Sequence, residues 1–344
     1  MEANQMGISP ISCVAFLVTS LVVNVISSGQ ENRSVLRAGI IGLDTSHAPA
    51  FTKALNDPKA TGALGGVRVV AAFAGGSPDI ASSRDRVKQI TEQVRGMGVE
   101  IVDSIPALLA KVDVVMLESV DGRPHLEQAR AVFEAGKPVY IDKPLAGSLV
   151  DVLAIAELGE KHHTPWFSSS SLRYGAKIDA IKRDARLGDV VGCEAWSPCH
   201  LEPTHPDLYW YGIHGVELLY TMMGPGCESV SRVQTEGTDV AVGRWKGGRV
   251  GTFRGIRQGK QDYGAVVFGS KGISTATGFE GYVPLVEQIA TFFKTRKPPI
   301  AVEETIEIYA FMEAADESKR NGGKPVAIQE VMEKARSQLK ANAG

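Results

Sequence analysis

The sequence predicts an α/β protein that consists of an N-terminal Rossmann domain with a doubly wound parallel sheet and a C-terminal α+β domain with an open, mainly antiparallel sheet. From residue 36 to residue 168, short β-branched runs alternate with helical stretches, which is typical of a parallel sheet. After residue 188, strand-like runs follow one another across glycine-containing turns, which is typical of antiparallel pairing. The 344 residues accommodate two domains of about 150 residues each. We place these domains at 35–170 and 171–344.

Strands in the first half are predicted where β-branched and apolar residues cluster between turn residues. In chain order they are 36–43, 67–74, 99–104, 112–119, 137–142 and 164–168. Helical spacing of apolar residues predicts helices between them, at 48–55, 83–96, 106–111, 125–136 and 149–162.

Strands in the second half are predicted by the same pattern, and the Lys-Gly-Gly run at 246–248 supplies a hairpin turn between two of them. The predicted strands are 189–196, 228–237, 239–248, 249–256 and 263–270. Helices are predicted at 176–186, 207–223, 284–295 and 303–318, and we expect them to cover one face of the sheet.

The composition is that of an ordinary globular protein, with 44% hydrophobic and 22% charged residues, and it excludes a disordered or fibrous chain. Lys plus Arg number 37 and Asp plus Glu number 39, for a formal charge of -2. This balance gives no electrostatic reason to expect a nucleic acid partner. Four scattered cysteines are too few for a disulfide scaffold. The composition therefore favours a small molecule as the partner.

The N-terminal 34 residues form a separate extension, signal-like or disordered, and are left out of the domain prediction. Residues 11–27 are uncharged and largely apolar, with the length of a signal-peptide core, and small residues would permit cleavage before Gln30. No basic residue precedes this run and Glu2 is acidic, which argues against an export signal. Three interpretations stay open: an export signal, an uncleaved anchor, or an extension on a cytoplasmic protein.

The loop after the first strand resembles a dinucleotide-binding fingerprint, Gly-x-Gly-x-x-Gly, of which only Gly42 is present. Asp44 and His47 occupy the other two glycine positions, and a carboxylate near a diphosphate would repel it. The helix N-terminus and the hydroxyls of Thr45 and Ser46 can still bind an anion. Alternatively, the Asp44–His47 pair is a capping arrangement without a ligand.

The second strand is not followed by the acidic residue that commonly binds the adenine ribose. Ser77 and Arg84 follow it instead and could accept a 2′-phosphate, which weakly favours NADP. The alternative is a loop chosen for its turn geometry. Further along the chain, Glu118 ends a buried strand and His125 opens the next helix, so both are expected at the ligand-binding edge.

Lys143 follows a predicted buried strand directly, in the run Tyr-Ile-Asp-Lys-Pro. Ligands of open α/β sheets bind at the carboxyl ends of the strands, so Asp142 and Lys143 are expected to line a site. The alternative is a lysine that faces solvent in an ordinary loop.

His214 lies on a predicted helix that is rich in aromatic residues, with Tyr211 and Glu217 three residues away on the same side. A cluster of possible metal ligands precedes it: His200, Glu202, His205 and Asp207. Two prolines break the spacing of this cluster, so we assign no metal and expect a polar loop that lines a pocket. Arg173 lies near the predicted domain boundary and could neutralise an anionic or hydroxyl-rich ligand.

Taken together, these segments resemble the Gfo/Idh/MocA family of oxidoreductases, to which glucose–fructose oxidoreductase and inositol dehydrogenase belong. The resemblance extends from about Val35 to Val326 and implies NAD or NADP as cofactor and a sugar, polyol or related hydroxyl compound as substrate. It also implies a homo-oligomer formed through the C-terminal sheet. The segments that carry it are RAGIIGL, RPHLEQARAVFEAGKPVYIDKPLAGS, RLGDVVG, WYGIHGVELLYTMMG, VFGSKGIST and EETIEIYAFMEAADESKRNGGKPV.

The resemblance implies that Lys143 and His214 are the catalytic residues. Lys143 matches the lysine of the family's Glu-Lys-Pro motif, and His214 matches its acid/base histidine, while Trp210 replaces an aspartate that the family often has. His214 would take a hydroxyl proton during reversible hydride transfer, and Lys143 would stabilise the oxygen. The predicted cofactor-binding residues are Gly42, Asp44, Thr45, Ser46, His47, Ser77, Glu118, His125, Asp142 and Lys143. The predicted substrate-binding residues are Lys143, Arg173, His205, Asp207, Trp210, Tyr211 and His214.

Two other functions compete with this interpretation. One is a non-redox enzyme in the same cleft, a lyase or hydrolase built on His214, His205 and Asp207. The other is a catalytically silent sugar-binding homologue, because several residues of the cofactor loop depart from the family's pattern.

Overall fold

The computed structural model describes Met1 and residues 35–343. The apolar runs of the first half form the strands of a parallel sheet: β1 (Leu36–Ile41), β2 (Val67–Phe73), β3 (Glu100–Val102), β4 (Val114–Leu117), β5 (Val139–Ile141) and β6 (Trp166–Phe167). Their order is β3-β2-β1-β4-β5-β6. Because the order reverses between β1 and β4, the carboxyl ends of these two strands border the crevice in which doubly wound sheets bind ligands.

Helices connect these strands, and they confirm the predicted alternation. They are α1 (His47–Leu55), α2 (Ala81–Arg84), α3 (Val87–Gly96), α4 (Ile105–Leu109), α5 (His125–Glu134) and α6 (Leu149–Lys161). The single helix predicted at 83–96 is wrong in one respect, because the chain forms the short α2 before α3 begins at Val87.

A second sheet follows, and its strands are β7 (Val190–Pro198), β8 (Cys227–Gln234), β9 (Thr238–Trp245), β10 (Val250–Ile256), β11 (Gly264–Gly269), β12 (Ile273–Thr277) and β13 (Val326–Ala327). Their order is β12-β11-β7-β10-β9-β8-β13. The pairing is antiparallel except between β7 and β10, which run parallel. This confirms the predicted mainly antiparallel sheet.

The helices of the second half are α7 (Ala176–Arg183), α8 (Asp207–Trp210), α9 (Ile213–Met223), α10 (Val283–Thr295), α11 (Val302–Arg320) and α12 (Ile328–Ala343). Helices α9 and α11 pack against the second sheet. Both sheets belong to one compact unit. We keep the proposed division near residue 170, because the parallel sheet ends at Phe167 and the second sheet begins at Val190.

The helix predicted at 207–223 is divided at Tyr211 and Gly212. Tyr211 leaves the helical conformation with φ -132°. A Cβ on Gly212 would lie 2.9 Å from the Leu208 carbonyl oxygen, so this close turn requires glycine. The sequence analysis missed three elements, β12, β13 and α12. The two strands are short, and α12 lies after the last predicted helix, at 303–318.

The apolar segment 11–27 lies outside the described residues, so the alternatives for the N-terminus stay predictions. Among the residues that the structure does describe, no helix combines the length and the hydropathy that crossing a bilayer requires. Cys193, Cys199 and Cys227 are buried and free.

Arg232 is buried beneath the second sheet and is surrounded by carboxylates. Its Nη2 lies 2.8 Å from Asp207 Oδ2 and 2.6 Å from Asp239 Oδ1, and its Nη1 contacts Asp316. Asp207 also pairs with Lys319 Nζ at 2.6 Å. The Asp207 carboxylate is therefore committed to ion pairs with β8 and α11, and its predicted contact with substrate stays a prediction.

Replacing Asp316 should change how stability depends on pH. Burial raises the pKa of Asp316 to about 7, although Arg232 opposes this shift. The folded state thus holds a proton that the unfolded chain releases near pH 4, so this carboxyl group contributes stability that is lost as pH rises toward 7. When thermal unfolding is measured between pH 5 and pH 8, the stability of Asp316→Asn should fall less with rising pH than the stability of the native chain. The control Glu330→Gln, at an exposed carboxylate on α12, should retain the native slope; equal slopes for all three would contradict the assignment.

Candidate active site

A cavity of about 420 Å³ lies at the carboxyl ends of β4 and β5 and extends to α8 and α9. Because loops at this edge of a doubly wound sheet form its ligand sites, the cavity is the candidate active site. Seven of the predicted residues line it: Thr45, Ser46, His47, Lys143, Trp210, Tyr211 and His214. The other lining residues are Ser82, Arg86, Val120, Ser171, Leu172, His200, Tyr263, Phe279 and Tyr282.

Lys143 lines this cavity just beyond the end of β5. Its Nζ lies 5.7 Å from the centroid of the Tyr211 ring, and its peptide bond to Pro144 is cis. The backbone N–H of Lys143 donates to Asp142 Oδ1 at 2.9 Å. The ammonium group therefore faces the cavity rather than open solvent, which was the alternative for this lysine.

His214 projects from the first turn of α9 and is buried. Its Nδ1 lies 2.8 Å from Ser170 Oγ, and its ring packs edge-on against Tyr211 at 5.1 Å between centroids. Burial, and then the charge of Lys143, hold the pKa of His214 well below its ordinary value. The imidazole is consequently neutral at physiological pH, and one of its nitrogens can accept a proton.

Glu217 supports this histidine indirectly. Its carboxylate accepts hydrogen bonds from Ser169 Oγ at 2.5 Å and Ser170 N at 2.6 Å, and it pairs with Arg173 Nε at 2.9 Å. Arg173 is buried, and its Nη1 lies 2.8 Å from Glu304. The Arg173 guanidinium is thus paired with two carboxylates and is not among the residues that line the cavity, and its contact with substrate stays a prediction.

His47 and Asp142 form a buried pair at the cavity floor, with Nδ1 and Oδ2 2.5 Å apart. Tyr140 Oη donates to the other oxygen of Asp142 at 3.0 Å. Burial alone would raise the pKa of Asp142, but the adjacent His47 and Lys143 lower it below its ordinary value. The ionised carboxylate thus connects the start of α1 to the end of β5.

Glu118 is fully buried beside this pair, and neither of its carboxyl oxygens has a hydrogen-bond partner among the described residues. Burial, and then the charge of Asp142, raise its pKa well above the ordinary value. His47, Glu118 and Asp142 each offer a ligand atom within 4.8 Å of the others, a spacing that a metal ion could bridge. The charge of Lys143 already acts on both carboxyl groups and lowers their pKa values, so we assign no metal.

The loop after β1 differs from the expectation for Asp44. The Asp44 carboxyl group is buried and accepts hydrogen bonds from Val120 N at 2.9 Å and Ser83 Oγ at 2.6 Å. It does not line the cavity, so it joins α2 to the loop after β4 instead of facing a ligand. Gly42 has φ +95°, and a Cβ there would lie 2.3 Å from Ser119 N, so only glycine permits this close approach.

Ser77 lines a second cavity, of about 490 Å³, on the β2 side of the sheet. Its hydroxyl donates to Asp121 Oδ2 at 2.6 Å. Arg84, which the sequence placed with Ser77 as a candidate for a 2′-phosphate, instead bonds Asp85 and the Pro78 carbonyl. Asp121 was missed by the sequence analysis, although its position after a buried strand, like that of Lys143, was a usable signal.

Two predicted histidines lie outside the first cavity. His125 is fully buried, and its ring nitrogens contact the carbonyl oxygens of Leu145 and Ser119, so it fixes the backbone. His205 Nε2 lies 3.2 Å from both Gly122 N and Asp121 Oδ1. Neither His205 nor His125 is among the residues that line the two cavities, so their ligand contacts stay predictions.

A dinucleotide fits this arrangement at both ends. Gly42 lets the loop after β4 approach the loop after β1 closely. The second cavity lies where an adenosine would bind. The first cavity contains a neutral imidazole and an ammonium group. The Asp44–Ser83 bridge lies between Val120, which lines the first cavity, and Ser77, which lines the second. Chemically, the first cavity can hold a hydroxyl group, remove its proton and stabilise the resulting negative charge.

Comparison with known proteins also identifies a Rossmann fold in the first half of the chain. The sequence model of the Gfo/Idh/MocA oxidoreductase family, described as an NAD-binding Rossmann fold, matches residues 36–169. No curated protein sequence matches the chain.

Solved structures match nearly the whole described chain. A probable dehydrogenase from Thermotoga maritima is 21% identical with a TM-score of 0.69, over 86% of this chain and 100% of that one. Myo-inositol 2-dehydrogenase from Lactobacillus plantarum is 17% identical, with a TM-score of 0.71 over 85% and 99%. Scyllo-inositol dehydrogenase from Lactobacillus casei, solved with NAD(H) and scyllo-inositol, is 14% identical, with a TM-score of 0.70 over 86% and 100%. These similarities show a common fold.

Removing the charge of Lys143 should raise the pKa of His214. In the native chain, NMR of the His214 imidazole should show a neutral ring down to a pH well below 6.5, because burial and Lys143 both disfavour the charged form. In Lys143→Met the burial persists but the ammonium group is absent, so the ring should titrate at higher pH. Lys177→Met, at an exposed position, is the control and should leave the titration unchanged. An unaltered titration in Lys143→Met would contradict the proposed proximity.

Proposed function

We propose that this chain, whose residues 36–169 belong to the Gfo/Idh/MocA oxidoreductase family, is an NAD(P)-dependent dehydrogenase that acts on a CH–OH group of a sugar, polyol or related small molecule. The observation that carries the proposal is the presence of a neutral His214 and an ammonium group, Lys143, in one cavity at the ligand edge of the sheet. Dehydrogenation of an alcohol needs both a proton acceptor and a group that stabilises the oxygen.

In this proposal His214 accepts the proton of the substrate hydroxyl. Its Nδ1 is held by Ser170 Oγ, so Nε2 is the nitrogen that is free to face the cavity. The Ser170 hydroxyl can accept from Nδ1 or donate to it, which allows either tautomer and suits a reversible reaction. Lys143 then donates to the substrate oxygen as its negative charge develops. When bound, the nicotinamide supplies the acceptor for the hydride.

Other residues of the cavity would position the cofactor and substrate. Thr45 and Ser46 stand at the start of α1, where hydroxyl and backbone donors suit a diphosphate, and Arg86 adds a positive charge on the opposite wall. Aromatic rings and hydroxyl groups also line the cavity, from Trp210, Tyr211, His200, Tyr263 and Tyr282. Such a wall suits the apolar face and the hydroxyl edge of a polyhydroxylated ring, which supports a sugar or polyol as substrate.

The non-redox alternative loses its support from the geometry. A lyase or hydrolase built on His214, His205 and Asp207 needs these side chains in one place. His205 instead contacts Asp121, and Asp207 pairs with Arg232 and Lys319. A silent binding protein would not require Lys143 and His214 to share the cavity.

Replacing either catalytic candidate should abolish turnover while leaving cofactor binding intact. His214→Asn and Lys143→Met should each lower kcat by at least about 100-fold, the usual contribution of positioned acid–base and electrostatic groups. The assay incubates the chain with NAD and NADP and a panel of inositols and sugars, and follows formation of the reduced cofactor. Titration with NADH by fluorescence should give Kd values within about threefold of native, since neither change removes the crevice.

His162→Asn, at the end of α6 and outside both cavities, is the matched control and should retain native turnover. If the native chain binds neither NADH nor NADPH at millimolar concentration, the proposed function is wrong. If His214→Asn turns over normally, His214 is not the proton acceptor.

We further propose that a second copy of this chain covers the open face of the second sheet. Residues alternate along each strand, and those pointing away from α9 and α11 are only partly buried. They include Val242 on β9 and Val266 and Phe268 on β11. The same face carries the exposed charged residues Glu194, Arg244 and Arg254, and a mixture of apolar and charged residues is typical of an interface between subunits.

Val242→Glu should convert the assembly to a monomer, because a charge at the centre of the face would be desolvated on association. Light scattering of the native chain should give a multiple of the monomer mass of 36.8 kDa, and of the variant the monomer mass itself. Glu333→Lys, on the outside of α12, is the control and should keep the native mass. A monomeric native chain would overturn this part of the proposal.

A further inference from the structure

The residues that line the second cavity bear on whether the chain prefers NAD or NADP. It lies on the β2 side of the crevice, bordered by Gly75, Gly76 and Ser77 after β2 and by Asp121 and Arg123 after β4. In a doubly wound sheet the adenosine half of a dinucleotide binds on this side. The inference therefore rests on the proposed function and concerns which dinucleotide the chain prefers.

A carboxylate lies beside the loop after β2, although the sequence has no acidic residue directly after that strand. No acidic residue follows β2 directly, but Asp121 reaches the same place from the loop after β4, where it accepts a hydrogen bond of 2.6 Å from Ser77 Oγ. Its side chain is only 2% exposed. Burial alone would raise the pKa of Asp121, but hydrogen bonds from His205, Arg123 and Ser77 hold it well below the ordinary value. Asp121 is thus a fixed negative charge at the cavity wall.

Among the described residues that line this cavity, the one cation is Arg123, and it is already committed to carboxylates. Arg123 Nε lies 3.0 Å from Asp121 Oδ1, and its Nη2 lies 2.8 Å from Asp79 Oδ2, so one guanidinium is shared by two carboxylates. Arg84 is paired with Asp85 and does not line the cavity. The balance around Ser77 is therefore one excess negative charge, which would oppose a 2′-phosphate but not a 2′-hydroxyl group.

We propose that Asp121 is the residue that binds the adenine ribose and that it makes this chain selective for NAD(H) over NADP(H). A ribose 2′-hydroxyl donates to the carboxylate in the place that the Ser77 hydroxyl occupies. A 2′-phosphate cannot donate there and brings further negative charge against a carboxylate that stays ionised. The weak preference for NADP drawn from Ser77 and Arg84 is reversed by this geometry.

His205 acts as a positioning residue for this carboxylate. It comes from the loop before α8, and its Nε2 lies 3.2 Å from Asp121 Oδ1, while its ring packs on Trp210 with centroids 5.0 Å apart. Trp210 lines the first cavity. The carboxylate at the ribose end is therefore held in place from the second half of the chain, next to the predicted substrate wall.

Fluorescence titration of the full chain with NADH and with NADPH tests this assignment. The native chain should bind NADH at least about tenfold more tightly than NADPH. Asp121→Asn keeps the shape but removes the charge, and it should reduce this ratio by about tenfold, mainly by improving the Kd for NADPH. Ser77→Arg, which adds a cation beside Asp121, should move the ratio in the same direction. Arg84→Ala is the matched control and should leave both Kd values unchanged.

The outcomes separate this inference from the proposed function. Equal affinities, or tighter binding of NADPH by the native chain, would overturn the selectivity and leave the dehydrogenase proposal standing. A selective native chain with unchanged ratios in both variants, each shown by thermal unfolding to be folded, would overturn the role of Asp121. Failure of the native chain to bind either nucleotide would overturn the proposed function itself.

Discussion

The ionised carboxylate of Asp142 is the interaction on which the candidate site depends. It accepts hydrogen bonds from Lys143 N and Tyr140 Oη and contacts His47 Nδ1 at 2.5 Å, so it joins the end of β5 to the start of α1. Since it is fully buried, the loss of any one donor would leave an oxygen poorly satisfied at a cost of about 1–3 kcal/mol. The position of Lys143 therefore follows from the packing of the sheet rather than from contacts in the cavity.

This arrangement also sets the electrostatics of the reaction. The charge of Lys143 acts both on the buried carboxyl groups of Asp142 and Glu118 and on the His214 imidazole. The same ammonium charge that is balanced by the carboxylate disfavours a second positive charge on the histidine. A lysine and a histidine in one cavity thus have different roles, the first as a donor to the substrate oxygen and the second as a neutral proton acceptor.

The sequence predicted the alternating strands and helices well, because hydrophobic periodicity is local information. It also predicted Lys143, whose position directly after a buried strand fixes the sheet edge at which it lies. What it could not predict depends on contacts between distant segments. Ser77 and Asp121 are 44 residues apart, and Arg232 and Asp316 are 84 apart, so neither pairing leaves a pattern in one stretch of chain. The ion pairs of Asp207 with Arg232 and Lys319 likewise join residues 25 and 112 positions apart.

Asp44 shows why a departure from a motif must be judged by where the side chain goes. A carboxylate at the second glycine position was expected to repel a diphosphate, but the Asp44 oxygens accept from Val120 N and Ser83 Oγ and do not line the cavity. Burial raises its pKa, although the hydrogen bonds from Ser83 and Val120 oppose this shift. The same substitution that removes a glycine therefore supplies a polar bridge between α2 and the loop after β4. That loop carries Asp121, so the bridge and the proposed ribose carboxylate share one loop at the edge of the crevice.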